Sequence, residues 1–179
     1  MTLVYHLTPS NMVGDTLHPL NRLQEIHPNI YEKQIQKYRG REQIIKRRIP
    51  ILNCLWNDVL FFSNIHPKAI RHGFIAVGKQ WKPQKWYTVN TTSCNFNEQN
   101  TVIYHPDMTR MKDDFALSPE RFSAFDSDEL ETMNELPPAN LAYYRESAER
   151  GEPIFAWHGL PHILHLGSVL IKNIEILEI

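Results

Sequence analysis

Histidine is the residue type in this chain best suited to chemistry, and His6 is the first to consider. It stands at the centre of Thr2-Leu3-Val4-Tyr5-His6-Leu7-Thr8, a short apolar run that ends in Pro9-Ser10-Asn11. Valine, tyrosine, leucine and threonine favour a pleated, half-buried conformation. The strand period of two puts Leu3, Tyr5 and Leu7 on one face and Val4, His6 and Thr8 on the other, and Pro9 stops the ladder. An imidazole so placed can hydrogen-bond a ligand, move a proton or simply pack. His6-Leu7-Thr8 has the His-x-Thr form that two-histidine phosphoesterases use twice. No second His-x-Thr or His-x-Ser occurs in the chain, which argues against that chemistry.

His158, His162 and His165 form a second concentration, all within eight residues. Gly159 and Pro161 prevent the regular helix that would align His158 with His162, and no cysteine stands with them, so no metal site is expected. Cys54 and Cys94 are the only cysteines, too few for a disulfide framework and without a local signature for a nucleophile. Phosphate-cradling glycine motifs and a Gly-x-Ser-x-Gly nucleophile turn are both missing from the sequence.

Two carboxylates lie in the last strand-like segment, Ser168 to Ile179. Glu175 shares a face with Ile171, Asn173 and Leu177, and Glu178 with Ile174 and Ile176. Either could be an edge-strand charge that discourages pairing with another chain.

Tyr5-His6-Leu7-Thr8, with Val13-Gly14-Asp15-Thr16-Leu17 and the apolar Asp58-Val59-Leu60-Phe61-Phe62-Ser63 after it, resembles the opening of ADP-ribosyltransferase-like folds. That group includes NAD-dependent toxins, RNA 2'-phosphotransferases and small bacterial relatives, and its first strand commonly carries Tyr-His-x-Thr. Leu160-Pro161-His162-Ile163-Leu164 is similar to a Pro-His segment of some small members. The chain as a whole also resembles bacterial proteins with no assigned activity.

The resemblance implies a single α+β domain with a compact mixed or antiparallel β-sheet core and flanking helices. It implies NAD as substrate, in a cleft lined by His6, Thr8, Ser63 and His162, with His6 on the ribose. Glu175 or Glu178 would be the catalytic carboxylate, although neither stands in the Gln-x-Glu or Glu-x-Glu motif of toxin transferases. The partners implied are a nucleotide ligand and a protein or nucleic-acid acceptor. A non-catalytic ligand-binding or protein-interaction module of the same fold is the alternative.

Bulk properties narrow the classes. With 179 residues one domain is the default. The apolar fraction of 42% and charged fraction of 22% are ordinary for a folded water-soluble chain. Lys and Arg total 19 against 20 Asp and Glu, so the broad positive field of a dedicated nucleic-acid binder is not expected. No apolar run approaches the roughly 20 residues of a spanning helix, and no basic-then-hydrophobic leader opens the chain. A cytoplasmic protein with no membrane partner is expected, while export as an effector by a signal of another kind stays open.

The elements that must position these residues follow from periodicity. A helix is expected from Pro28, with Tyr31, Ile35, Tyr38, Glu42, Ile45 and Ile49 on one stripe, weakened at Gly40. Its other face, Lys33, Gln36, Lys37, Arg41, Lys46 and Arg47, could touch phosphate or RNA, but a solvated helix face has the same pattern and is the preferred reading. Val59 to Phe62 has little alternation, as suits a strand covered on both faces. A helix from Lys68 to about Val77 stops at Gly78, and strands cover Lys85 to Asn90 and Thr101 to Tyr104. The stretch from Asp107 to Pro138 reads as acidic and irregular, with helical pieces after Ser118-Pro119 and over Ser127 to Met133. A helix over Ala139 to Arg150 stops at Gly151. Pro153 to Trp157 and Ser168 to Ile179 complete the expected strands. Strands interrupted by helices without regular alternation favour α+β over a doubly wound α/β sheet.

Overall fold

Two antiparallel sheets share one buried layer, and the His6 strand is where they meet. The computed structural model describes residues 2–106 and 117–179. In chain order the strands are β1 (Leu3–Leu7), β2 (Thr16–Leu17), β3 (Arg48–Ile49), β4 (Cys54–Leu55), β5 (Val59–Phe62), β6 (Lys85–Asn90), β7 (Thr101–Tyr104), β8 (Phe122–Ala124), β9 (His162–Leu166), β10 (Val169–Leu170) and β11 (Glu175–Glu178). The helices are α1 (Leu20–Ile26), α2 (Pro28–Ile35), α3 (Pro67–Ala76), α4 (Ser127–Thr132) and α5 (Pro138–Glu149). The chain is thus α+β. No helix among the described residues is long and apolar enough to cross a membrane.

The first sheet has the order β1-β6-β11 and the second β5-β9-β7-β8, each antiparallel throughout. Backbone bonds in both directions between Tyr5 and Ser63, at 2.7 and 3.0 Å, stitch β1 to the end of β5. Val4, Tyr87 and Val89 from the first sheet pack with Leu60, Phe62, Ile103 and Ile163 from the second. The reverse face of the second sheet is covered as well, because Val59, Val102, Tyr104 and Leu164 pack with Ile49 and, at its margin, Trp56. This double covering explains the near-continuous apolar run of β5. A third cluster places Ile65, Ile70 and Leu160 with Phe74, Trp81 and Trp157.

Local signals of propensity and capping are realised closely. Lys85 to Asn90 and Thr101 to Tyr104 form strands at the expected bounds. Pro67 opens α3, and Gly78 adopts φ +73° just beyond it, the left-handed conformation that glycine takes without a Cβ penalty. Asp126 caps α4 by accepting from the backbone of Asp128 and Glu129. The expectation after Ser118-Pro119 is met by a single 3-10 turn, Pro119–Arg121. Of the acidic stretch, residues 107–116 lie outside the described residues.

Three segments differ from the sequence expectation. The helix from Pro28 stops at Ile35 and gives way to 3-10 turns over Gln36–Tyr38 and Glu42–Ile44, then to β3. Gly40 at φ +77° breaks the helical path, and the Tyr38 hydroxyl is drawn inward to Asn57. Pro153 to Trp157 is no strand. Its Phe155 is exposed, and the strand forms one turn later as β9, with His165 buried at 4% exposure. The terminal segment is two short strands, β10 and β11, separated by a turn in which Asn173 takes φ +66°.

Candidate functional site

A cleft opens beside the exit of β1. It is walled by β1 and the loop after it, by β2 with the chain around His18, by α1 and α2, and by β5. Its cavity volume is about 180 Å³, comparable with the roughly 150 Å³ apolar cavity that accepts a benzene ring. Leu17, Leu20, Leu23, Ile30, Val59 and Phe61 supply an apolar lining. One planar ring is therefore the size of group that the enclosed part holds.

His6 is the member of the cleft with the best-defined chemistry. Its Nδ1 lies 2.8 Å from the Phe61 carbonyl oxygen. A carbonyl only accepts, so Nδ1 carries the proton and Nε2 is left as an acceptor. Burial pushes the imidazole below its ordinary pKa, and the bond to Phe61 offsets that only in part. His6 is thus a neutral, oriented acceptor suited to a ligand hydroxyl. The Phe62 ring, 5.3 Å from it between centroids, limits its movement.

Lys37, Tyr38 and Asn57 also line the cleft. Asn57 lies in the 3-10 turn Trp56–Asp58 and is 2% exposed. Its Oδ1 accepts from the Tyr38 hydroxyl at 2.7 Å, while its Nδ2 is buried with no hydrogen-bond partner. Such an unpaired donor costs about 1–3 kcal/mol. Asp58 fixes the turn: one carboxylate oxygen accepts from the Leu55 backbone at 2.7 Å and the other from Asn21 at 2.6 Å. Lys37 is exposed at the rim, with its ammonium 5.1 Å from the centre of the Tyr38 ring. Desolvation lowers its pKa. His18 and His27 bracket α1 with their ring centroids 6.3 Å apart, and His18 Nδ1 lies 2.7 Å from Ser168 Oγ. Burial, followed by the charges of His27 and Arg22, lowers the His18 pKa. Among the described residues no carboxylate lines this cleft.

Of the candidate site residues His6, Thr8, Ser63, His162, Glu175 and Glu178, His6 alone lines the cleft. Thr8 donates its backbone N–H to Lys85 at 2.8 Å, and its hydroxyl oxygen is buried without a partner. Ser63 is buried at the joint between the sheets, where its hydroxyl accepts from the Ile65 N–H at 3.0 Å. His162 belongs to the reverse face of the second sheet, near the Phe61 and Tyr104 rings at 6.4 and 6.3 Å. Burial pushes its pKa down to about 4. Phe61 lies between the two histidines, since its carbonyl meets His6 and its ring meets His162.

Glu175 and Glu178 are both exposed on β11, the outer strand of the first sheet. The register aligns Glu175 with Thr88 and so with Tyr5, on the face opposite His6. Its charge adds to burial in raising the Tyr5 phenol pKa. Glu178 is on the His6 side but lies beyond β6 and two positions along, where its Oε2 is 3.8 Å from Lys85 Nζ. The three carboxy-terminal histidines do not converge, and no group of three metal-ligating side chains exists among the described residues.

Tyr38 and Asn57 carry no signal for a site in the sequence, and Lys37 carries only that of a basic face that could touch phosphate. Lys37 is exposed and Tyr38 buried, as that face and the apolar stripe require, but the helix expected to carry both ends at Ile35. His18-Pro19 and His27-Pro28 carried the readable signal, since each pair places an imidazole just before a helix. Compared with known proteins, the chain matches no family model, no curated protein and no solved structure.

Proposed function

We propose that the His6 cleft binds a nucleotide ligand of the NAD or ADP-ribosyl class, and that binding, without bond cleavage, is the activity that this chain's described residues equip it for. The observation that carries the reading is the pairing of an oriented acceptor, His6 Nε2, with a ring-sized apolar cavity. A ribose hydroxyl would donate to the imidazole, while a planar base or nicotinamide ring would fill the space between Leu17, Leu23 and Phe61. The ADP-ribosyltransferase-like identity of the fold rests on the sequence resemblance at Tyr5-His6-Leu7-Thr8 and on the neighbouring position of β5.

Transfer of the ADP-ribosyl group would need more. The cation-like transition state of glycosidic cleavage calls for a carboxylate beside the ribose. Glu175 and Glu178 are the candidates for that part, and their places on β11 favour the non-catalytic reading. The two readings separate by experiment. Calorimetric titration with NAD, ADP-ribose and nicotinamide should give saturable binding that His6→Ala weakens. Incubation with NAD should then release no nicotinamide. Release that disappears in Glu175→Gln or Glu178→Gln protein would restore the transferase, with a protein or nucleic-acid acceptor to be sought. Absence of binding by all three compounds at millimolar concentration would remove the nucleotide reading altogether.

A further inference from the structure

The residues that line the cleft include hydrogen-bond donors that the fold itself does not use. Asn57 is nearly sealed from solvent, and its Oδ1 is committed to the Tyr38 hydroxyl, which orients the amide and leaves Nδ2 as a free donor. The one carboxylate of the same turn, Asp58, is already engaged by Leu55 and Asn21. Lys37 contributes a positive charge beside Tyr38 and makes no ion pair with a described residue. Buried polar groups are ordinarily paired, and here the complement is an oxygen that accepts. The neighbouring cation favours an oxygen that is also negative.

We propose that Asn57, Tyr38 and Lys37 form a subsite that reads an anionic oxygen, a carboxylate or a phosphate, on the group that enters the cleft. The Asn57 amide donates to this oxygen, Tyr38 holds the amide in register through its own hydroxyl, and Lys37 supplies the counter-charge. A neutral ring fits the same apolar space but leaves the charge of Lys37 unanswered. The subsite therefore discriminates charge more than shape. This inference rests on the cleft being a ligand site, but it does not require the ligand to be NAD.

The test uses simple probes on the full chain. Benzoate and benzamide have the same size and shape and differ in charge, and inorganic pyrophosphate presents phosphate oxygen without a ring. Nitrogen-15 NMR titration should show benzoate or pyrophosphate shifting the Asn57 side-chain amide and the Tyr38 backbone signal in a saturable manner. Benzoate should bind at least tenfold more tightly than benzamide. Lys37→Met should abolish that preference, Lys37→Arg should keep it, and Asn57→Asp should turn binding of anions into exclusion while leaving an acceptor for Tyr38. Preference for benzoate over pyrophosphate would assign a carboxylate, and the reverse a phosphate. Equal binding of benzoate and benzamide, or saturable binding that leaves the Asn57 amide unmoved, would overturn the subsite. So would a lack of response to both anions. NAD that fails to bind while benzoate moves Asn57 would defeat the nucleotide reading alone, and NAD that binds with the Asn57 amide unmoved would defeat the subsite alone.

Discussion

His6 Nδ1 meets the main-chain carbonyl of Phe61 at 2.8 Å, so a side chain of the first sheet is oriented by the backbone of the second. The contact joins the fold to the site, because β5, which is stitched to β1 through Ser63 and Tyr5, also selects the imidazole tautomer of His6. His6→Ala should lower affinity for an ADP-ribosyl ligand about tenfold, the loss expected for one hydrogen bond of roughly 1.4 kcal/mol. The fold should persist, since Tyr5 and Ser63 keep their own paired backbone bonds across the joint. Calorimetric titration beside a urea melt checks both parts, and a variant that fails to fold would make His6 a structural residue.

Tyr38→Phe tests the pairing with Asn57. Removing the hydroxyl leaves Asn57 Oδ1 buried without its donor, in addition to the Nδ2 that already lacks a partner. A loss of about 1–3 kcal/mol is expected, seen as a lower urea midpoint with an unchanged slope. A neutral result would mean that Asn57 is satisfied in some other way in solution.

Acid should destabilise this protein earlier than its carboxylates alone would. His165 is buried, stacked on Phe96 at 4.1 Å between centroids and bonded to Thr101 Oγ1 at 2.9 Å, and burial pushes its pKa from 6.5 down to about 4. Between those values the unfolded chain binds a proton that the folded chain refuses. The stability contributed by neutral His165 is therefore whole above pH 6.5 and falls as the pH drops towards 4, by up to about 1.4 kcal/mol per pH unit. Urea melts from pH 7 to pH 4 should show a fall of at least that size, since buried His162 adds its own share, and His165→Gln should reduce it. An unchanged slope in the variant would assign the effect to other groups.

Gly73→Val should disrupt the seat of α5 on α3. A Cβ at Gly73 would come within 2.8 Å of Leu136 Cδ2 and 3.0 Å of Tyr144 Cε2. The leucine end can yield, but Tyr144 is fully buried and tied through its hydroxyl to the Ala156 carbonyl at 2.5 Å. Overpacking of about 1–3 kcal/mol is expected for the added bulk. A thermal melt would reveal it, and a Tm equal to that of the parent protein would show that α5 can shift freely.

Elements dictated by neighbouring residues were legible before any coordinates. Val59 to Phe62, Lys85 to Asn90, Thr101 to Tyr104 and the helix opened by Pro67 follow from side-chain period, β-branching and proline placement, which act over a few residues. The alternation that put His6 with Val4 and Thr8, away from Tyr5, is likewise a local property of the strand. The α+β class followed from the same signals. Tertiary structure alone decided which residues meet. The apolar stripe after Ile35 favoured a longer helix, but Gly40 and the bond from Tyr38 to Asn57, nineteen positions apart, favoured a turn. Thr8, Ser63 and His162 had the chemistry for a binding site. Thr8 is paired through its backbone to Lys85, Ser63 is buried at the joint between the sheets, and His162 stands on β9 across from Tyr104, so none of the three lines the cleft. Which side of which sheet a side chain reaches depends on register between distant strands, and register comes from packing the whole core, which no stretch of sequence contains by itself.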